Sequence, residues 1–158
     1  MRTFLLVAGV MLLAVTTVVA DERFPLITSE AVKTACSDCH MAYPPQMLPR
    51  ASWQAILDRL DDHFGENASV AEPVRQEVRA YYLAHAADVD RSKAARAFLR
   101  GLDLQHPPLR ITETPRFIQE HREIAAATWQ HPKVRSKVNC GACHPGAAQG
   151  DYDAARLP

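Results

Sequence analysis

The chain has 158 residues, with 18 Lys and Arg residues against 18 Asp and Glu residues, and 47% of its residues are hydrophobic. This length suits one or two small domains. The balanced charge argues against a nucleic acid partner, which requires a basic surface. No polybasic segment indicates binding to a membrane surface.

Residues 1–20 differ from the rest of the chain. They contain Arg2, no acidic residue and a long apolar run that ends in Val-Val-Ala before Asp21. This arrangement predicts a signal peptide cleaved after Ala20, and therefore export to the periplasm. The alternative is a retained membrane anchor, because the run is close to the length that spans a bilayer. Removal of Arg2 leaves 17 basic residues against 18 acidic ones, a net charge of −1.

All four cysteines belong to two copies of one motif, Cys-x-x-Cys-His. The copies are Cys36-Ser37-Asp38-Cys39-His40 and Cys140-Gly141-Ala142-Cys143-His144. This is the attachment motif of c-type haem, in which the two thiols bond to the two vinyl groups of one porphyrin. The following histidine becomes an axial ligand of the iron. The motifs therefore predict two covalently attached haem c groups, whereas structural zinc, disulfides and CxxC redox chemistry are the alternatives.

The rest of the chain predicts an all-α protein, because no segment shows sustained alternation of apolar and polar residues. The first predicted helix runs from Ser52, as N-cap, to Phe64 before Gly65. His63 lies at the edge of its apolar face. A second predicted helix begins with the capping-box spacing of Ser69 and Glu72. Its predicted inward face comprises Val74, Val78, Tyr81 and His85.

Later segments predict a second unit. Residues 91–100, which end at Gly101, are predicted to form a connector rather than a core helix. An extended proline-containing strap follows at residues 105–109. It places a domain boundary near residues 95–105. We therefore expect an N-terminal haem domain over residues 21–100 and an irregular helical C-terminal haem domain over 101–158. Thr114 and Pro115 have the pattern of a helix start, and the predicted helix carries Phe117, His121, Ile124 and Thr128 on one face.

Each iron has a sixth coordination position to fill. For the first haem, the residues leave His63, His85 and a methionine, Met41 or Met47, as candidates. For the second haem, His121 is favoured because a packed helix holds a ligand better than a loop does. His106 and His131 each precede a proline in sequence typical of loops.

Together these residues resemble the small periplasmic dihaem cytochromes c of bacteria. The resemblance covers nearly the whole mature chain. It rests on CSDCHMAY at 36–43 with the following proline-rich loop and Trp53, DDHFGENA at 61–68, RITETP at 110–115, and His121-Arg122-Glu123 leading to NCGACH at 139–144.

The resemblance implies two mostly helical domains, the first similar to class I cytochromes c, and bis-histidine ligation of both haems. His40 and His63 would be the axial pair of haem 1, and His144 and His121 the pair of haem 2. It also implies as partners a small high-spin, oxygen-binding monohaem c-type cytochrome and a membrane b-type cytochrome.

The predicted function is electron transfer by a periplasmic protein that is monomeric and is not an enzyme. Two imidazoles on each iron leave no position for a substrate. The alternative is a peroxidase-like dihaem enzyme, which requires one open iron site.

Overall fold

Short helices joined by turns form the fold. The computed structural model describes residues 23–158, and the predicted signal peptide lies outside them. The described part contains α1 (Glu30–Cys36), α2 (Arg50–Leu57), α3 (Glu72–His85), α4 (Lys93–Leu99), α5 (Pro115–Glu120) and α6 (Ala126–Trp129). Turns of 3₁₀ helix span Pro45–Met47, Leu60–Asp62, Ile111–Glu113, Cys140–Ala142 and Ala147–Gln149. In residues 23–158 the β pairing is limited to two isolated bridges, so the all-α prediction is confirmed.

The main hydrophobic core lies where α3 packs against α1 and α2. Trp53 of α2 and Tyr82 of α3 are central to it, with ring centroids 4.4 Å apart. Burial of such aromatic side chains supplies much of the hydrophobic stabilisation in a small domain. The buried members of this core are Val32, Leu48, Trp53, Ile56, Leu57, Val78, Tyr82 and Ala86.

The proline-rich loop 44–49 is buried along its whole length. A buried loop needs partners for its backbone polar groups. The Trp53 side chain donates to the Pro45 carbonyl over 2.7 Å, and the Ala87 backbone N–H donates to the Leu48 carbonyl over 3.0 Å. These bonds fasten the loop that follows the first haem motif to both α2 and the end of α3.

A second cluster joins the two ends of the described chain. Phe24, Met47, Ala94 and Phe98 are buried together, and Tyr152 packs against them. The Phe24 ring lies 5.8 Å from the Phe98 ring and 5.4 Å from the Tyr152 ring, edge-on in both cases. The N-terminal segment thereby contacts the segment that follows the second haem motif.

The first predicted helix is shorter than its apolar pattern indicated. Helix α2 begins at Arg50 and ends at Leu57, so the prediction that Ser52 caps it is wrong. Ser52 is instead fully buried, and its hydroxyl donates to the Pro108 carbonyl over 2.7 Å. Ser52, which was predicted to cap the helix, therefore links α2 to the proline-containing strap.

The prediction that this helix continues to Phe64 is also wrong. Beyond the end of α2, the backbone carbonyl of Asp62 accepts from the Phe64 N–H and its carboxylate accepts from the Gly65 N–H, so a turn forms where helix was predicted. Such local bonds offer the backbone an alternative to helix. Phe64 and Gly65 then adopt φ of 57° and 98°, a turn rather than a helical end.

The predicted capping box at Ser69 is not formed, since α3 begins at Glu72 without a side-chain cap. Glu72 bonds to Arg75 and Gln76 within the first turn. The inward face of α3 comprises Val78 and Tyr82. His85 is exposed, so the prediction that it faces inward is wrong.

The segment predicted as a connector contains a core helix. Helix α4 buries Ala94, Ala95 and Phe98, and it contacts both the 45–47 turn and α5. The start of the next helix was predicted correctly, because Thr114 caps α5 and Pro115 is its first residue. That helix ends at Glu120, however, so His121 does not share one continuous helical face with Ile124 and Thr128.

Candidate functional site

His40 and His63 face one another although they come from different parts of the chain. Their ring centroids are 6.1 Å apart and the ring planes differ by 28°. His40 follows the end of α1 within the first haem motif. Its Nδ1 lies 2.7 Å from the Met41 carbonyl, so the proton resides on Nδ1 and the lone pair on Nε2 is available to a metal.

A tight turn directs His63 toward His40. The backbone N–H of His63 donates to the Glu66 carbonyl over 2.7 Å, and the Glu66 N–H donates back over 3.2 Å. With positive φ at both Phe64 and Gly65, this is the geometry of a type I′ turn. The Arg110 guanidinium lies 4.1 Å above the Phe64 ring and covers the non-glycine residue of this turn. Beside His63 lies an open cleft of about 250 Å³.

His121 and His144 form a second facing pair. Their ring centroids are also 6.1 Å apart, but the ring planes differ by 76°. His144 completes the second haem motif, and its Nδ1 is buried without a hydrogen-bond partner. His121 caps the C-terminal end of α5 and its Nδ1 lies 2.8 Å from the Phe117 carbonyl, which leaves Nε2 available.

Aromatic rings hold the imidazoles of the second pair. The His121 ring stacks on Phe117 with a centroid distance of 4.0 Å, and Trp129 of α6 lies 5.8 Å from it. On the other side, Tyr152 lies 5.5 Å from the His144 ring. The short helices α5 and α6 therefore orient His121, and the C-terminal segment orients His144.

The spacing within each pair fits one iron ion between two imidazoles. A metal–imidazole bond is about 2 Å long, and the ring centre lies about 1 Å behind its nitrogen, so two rings on one metal have centres about 6 Å apart. Both pairs match this value. One histidine of each pair belongs to a Cys-x-x-Cys-His motif, as haem c requires.

The surroundings of His63 and His144 favour the neutral imidazole, the form that binds a metal. Burial lowers the pKa of His63, and the nearby His40 and Arg110 lower it further. Burial also lowers the pKa of His144, and the nearby His121 acts in the same direction.

The first cysteine of each motif, Cys36 or Cys140, is partly buried. Burial raises the pKa of Cys36, and it raises the pKa of Cys140 to about 11. Reactive CxxC cysteines have a lowered pKa instead, so these surroundings are unlike those of a thiol redox site. In residues 23–158 no three His, Cys, Asp or Glu residues converge to hold a metal ion, as structural zinc would require.

The other ligand candidates lie elsewhere. His85 is exposed and bonds to the Tyr81 carbonyl, and the side chain of His106 is 87% exposed beside Asp103. His131 accepts a hydrogen bond from the Lys133 backbone N–H. Met41 supplies a carbonyl to His40, and Met47 is buried in the second hydrophobic cluster.

Tyr43 is a contact of the site that the sequence analysis included only as the last residue of the CSDCHMAY motif. Its ring stacks on the His40 ring with a centroid distance of 4.7 Å and an angle of 18°. Its position three residues after His40 was the available signal, because residues so close in the chain can pack on one another.

Comparisons with known proteins identify relatives that carry two haems. The sequence profile of the family described as dihaem cytochrome c matches residues 32–152. A solved dihaem cytochrome c from Rhodobacter sphaeroides is 44% identical, with 79% of this chain and 97% of that chain covered and a TM-score of 0.71. A dihaem cytochrome type c from Shewanella baltica is 33% identical over 82% of this chain and 92% of that chain, with a TM-score of 0.65. No curated protein matches the sequence.

In the described part of the chain, no helix has the length and apolar character needed to cross a bilayer. Two motifs that attach haem, two facing histidine pairs and the family match lead to one assignment. The chain belongs to the dihaem cytochrome c family, whose members carry two covalently bound haem c groups with iron.

Proposed function

We propose that this protein is a periplasmic electron carrier whose two haems are each ligated by two histidines. His40 and His63 ligate the first iron, and His144 and His121 ligate the second. The observation that carries the proposal is the matching 6.1 Å spacing of the two pairs, each of which contains one motif histidine.

The haem irons, when bound, supply one-electron redox chemistry. The protein residues hold the histidine side chains in fixed orientations. His40 and His121 are held through Nδ1 by backbone carbonyls, which fixes the tautomer and the ring orientation and raises the basicity of the ligand. Two histidines fixed in this way would keep their positions when a bound iron changed oxidation state. With two histidines on each iron, no coordination position would remain for a substrate, which is why we propose a carrier and not a peroxidase-like enzyme.

Without a methionine ligand the reduction potentials are expected to be low for c-type haem. By resemblance to the family, we further propose that a monomer exchanges electrons with a small monohaem c-type cytochrome and with a membrane b-type cytochrome. Mixing of the reduced protein with an oxidised monohaem cytochrome c in a stopped-flow instrument tests the first partner.

Substitution of the second ligands tests the ligation. His63→Ala and His121→Ala should each convert one of two haems to the high-spin state and let the reduced protein bind one equivalent of carbon monoxide. His85→Ala is the matched control, because His85 is exposed and bonds only to a backbone carbonyl. An unchanged spectrum in either variant would show that the substituted histidine is not a ligand. Rapid carbon monoxide binding by the wild type would show that one iron lacks a second histidine ligand.

A further inference from the structure

Tyr43 connects the surroundings of the two haem sites. Its ring lies against the His40 imidazole, 4.7 Å away between centroids and nearly parallel to it. Its hydroxyl donates to the Val138 carbonyl over 2.7 Å, across 95 positions of the chain. Val138 lies two residues before Cys140, the first thiol of the second motif.

The same carbonyl adjoins the second haem attachment point. The oxygen of Val138 lies 3.6 Å from the Sγ of Cys140. The Tyr43 backbone is itself held, because the buried Tyr82 donates its hydroxyl to the Tyr43 carbonyl over 3.1 Å. The contacts therefore run without a break from the imidazole of His40 through Tyr43 to the thiol of Cys140.

We propose that Tyr43 is the residue that couples the two haems electronically, with its ring in contact with the His40 ligand and its hydroxyl bonded to the Val138 carbonyl beside Cys140. This inference rests on the proposed electron-carrier function. In each exchange one electron would pass between the two bound haems, so that one iron would be oxidised from ferrous to ferric and the other reduced from ferric to ferrous. No proton moves and Tyr43 is not oxidised, because the residue provides only a bonded path.

The surroundings of Tyr43 suit this role. The ring is stacked on His40 and the hydroxyl is bonded to the Val138 carbonyl, so both ends of the side chain are held in place. The hydrogen bond also holds the segment before the second motif against the loop that follows the first.

The test compares Tyr43→Phe with the wild type in the half-reduced holoprotein. The substitution keeps the ring and removes the hydroxyl. Pulse radiolysis measures the intramolecular exchange rate as the phase that does not depend on protein concentration. Redox titration, paramagnetic resonance spectra and amide hydrogen exchange of residues 138–144 show whether either haem has changed its ligation or surroundings.

Tyr81→Phe is the matched control. The Tyr81 hydroxyl accepts from the Thr28 backbone N–H over 3.1 Å, and its ring packs beside the exposed His85. The same atom is removed from a tyrosine that contacts neither histidine pair.

The exchange rate is expected to fall several-fold in Tyr43→Phe, with both potentials and both spectra unchanged. In Tyr81→Phe it is expected to stay at the wild-type value. An unchanged rate in Tyr43→Phe overturns the inference, whether or not hydrogen exchange changes. A lower rate accompanied by an altered spectrum of either haem also overturns it, because a displaced haem would then be the cause. If the wild type shows no intramolecular exchange, the inference fails, whereas the proposed function fails only if neither haem exchanges electrons with a redox partner.

Discussion

The backbone N–H of Phe24 donates to the carbonyl of Gly150 over 2.8 Å, which fastens the first described segment to the last. Arg23 strengthens the junction by pairing with Asp151 over 3.2 Å. Gly150 has a φ of 76°, and a Cβ at this position would lie 2.3 Å from the Phe24 carbonyl oxygen. The close approach of the two backbones therefore requires glycine.

Gly150→Ala should destabilise the protein by about 3 kcal/mol, of which about 1 kcal/mol comes from the left-handed backbone and the rest from the clash. Gly101→Ala is the control, because Gly101 has a φ of 75° and its Cβ would only touch Pro115 at 3.8 Å. It should cost about 1 kcal/mol. Chemical denaturation of the two haem-loaded variants measures the difference in their free energies of unfolding. Equal losses of stability would contradict the predicted clash at residue 150.

The cap of α5 should support the second haem. Thr114 is fully buried, accepts from the Phe117 N–H over 3.2 Å and donates to the Ile111 carbonyl over 2.7 Å. Thr114→Ala should cost about 1–2 kcal/mol of stability. It should also loosen His121, because Phe117 stacks on that ring and its carbonyl holds Nδ1.

Ser92→Ala is the control for this effect. Ser92 caps α4 in the same way, accepting from the Ala95 N–H over 3.1 Å, but α4 carries no proposed ligand. Both variants should lower the unfolding midpoint, whereas only Thr114→Ala should increase the high-spin fraction of one haem in the absorption spectrum. Identical spectra of the two variants would show that the Thr114 cap of α5 does not hold His121 in place.

The two histidine pairs should be distinguishable by electron paramagnetic resonance. The rings of His40 and His63 are 28° apart, whereas those of His121 and His144 are 76° apart. Nearly parallel imidazoles separate the energies of two iron d orbitals and give a rhombic low-spin signal, whereas nearly perpendicular ones leave these orbitals close in energy and give a more anisotropic signal. The oxidised protein should show one signal of each kind.

His63→Ala should remove the rhombic signal alone, and His121→Ala the anisotropic one alone. Two identical signals in the wild type would contradict the difference in ring angle.

Buried tyrosines should make stability fall in alkali. Burial raises the pKa values of Tyr43, Tyr82 and Tyr152 above the ordinary value near 10. The unfolded chain therefore loses these phenol protons at a lower pH than the folded protein does. The stabilisation is present in full below about pH 10 and declines as the pH rises toward the raised folded-state values.

Denaturation midpoints measured between pH 8 and pH 11 test this expectation. Each buried tyrosine contributes at most about 1.4 kcal/mol of loss per pH unit above its unfolded pKa. Tyr152→Phe should match the wild type near pH 8, because its hydroxyl has no partner, and should lose less stability by pH 11. An equal decline in the two proteins would argue against the raised pKa of Tyr152.

The sequence by itself determined the chemistry that depends on neighbours along the chain. The spacing of two thiols and a histidine predicted both haem attachments, and Thr114 with Pro115 predicted the start of α5. Periodicity alone could not choose between His63 and His85, because each lay near an apolar helical stripe. The family resemblance favoured His63.

Only the tertiary structure brings His63 opposite His40, through a turn with positive φ at Phe64 that residue propensities disfavour. The bonds from Tyr43 to Val138 and from Phe24 to Gly150 likewise join residues far apart in sequence. Local patterns report how a segment folds on itself. Which distant segments meet depends on packing and loop geometry, and these set the pairs around each haem site and the connection between the two sites.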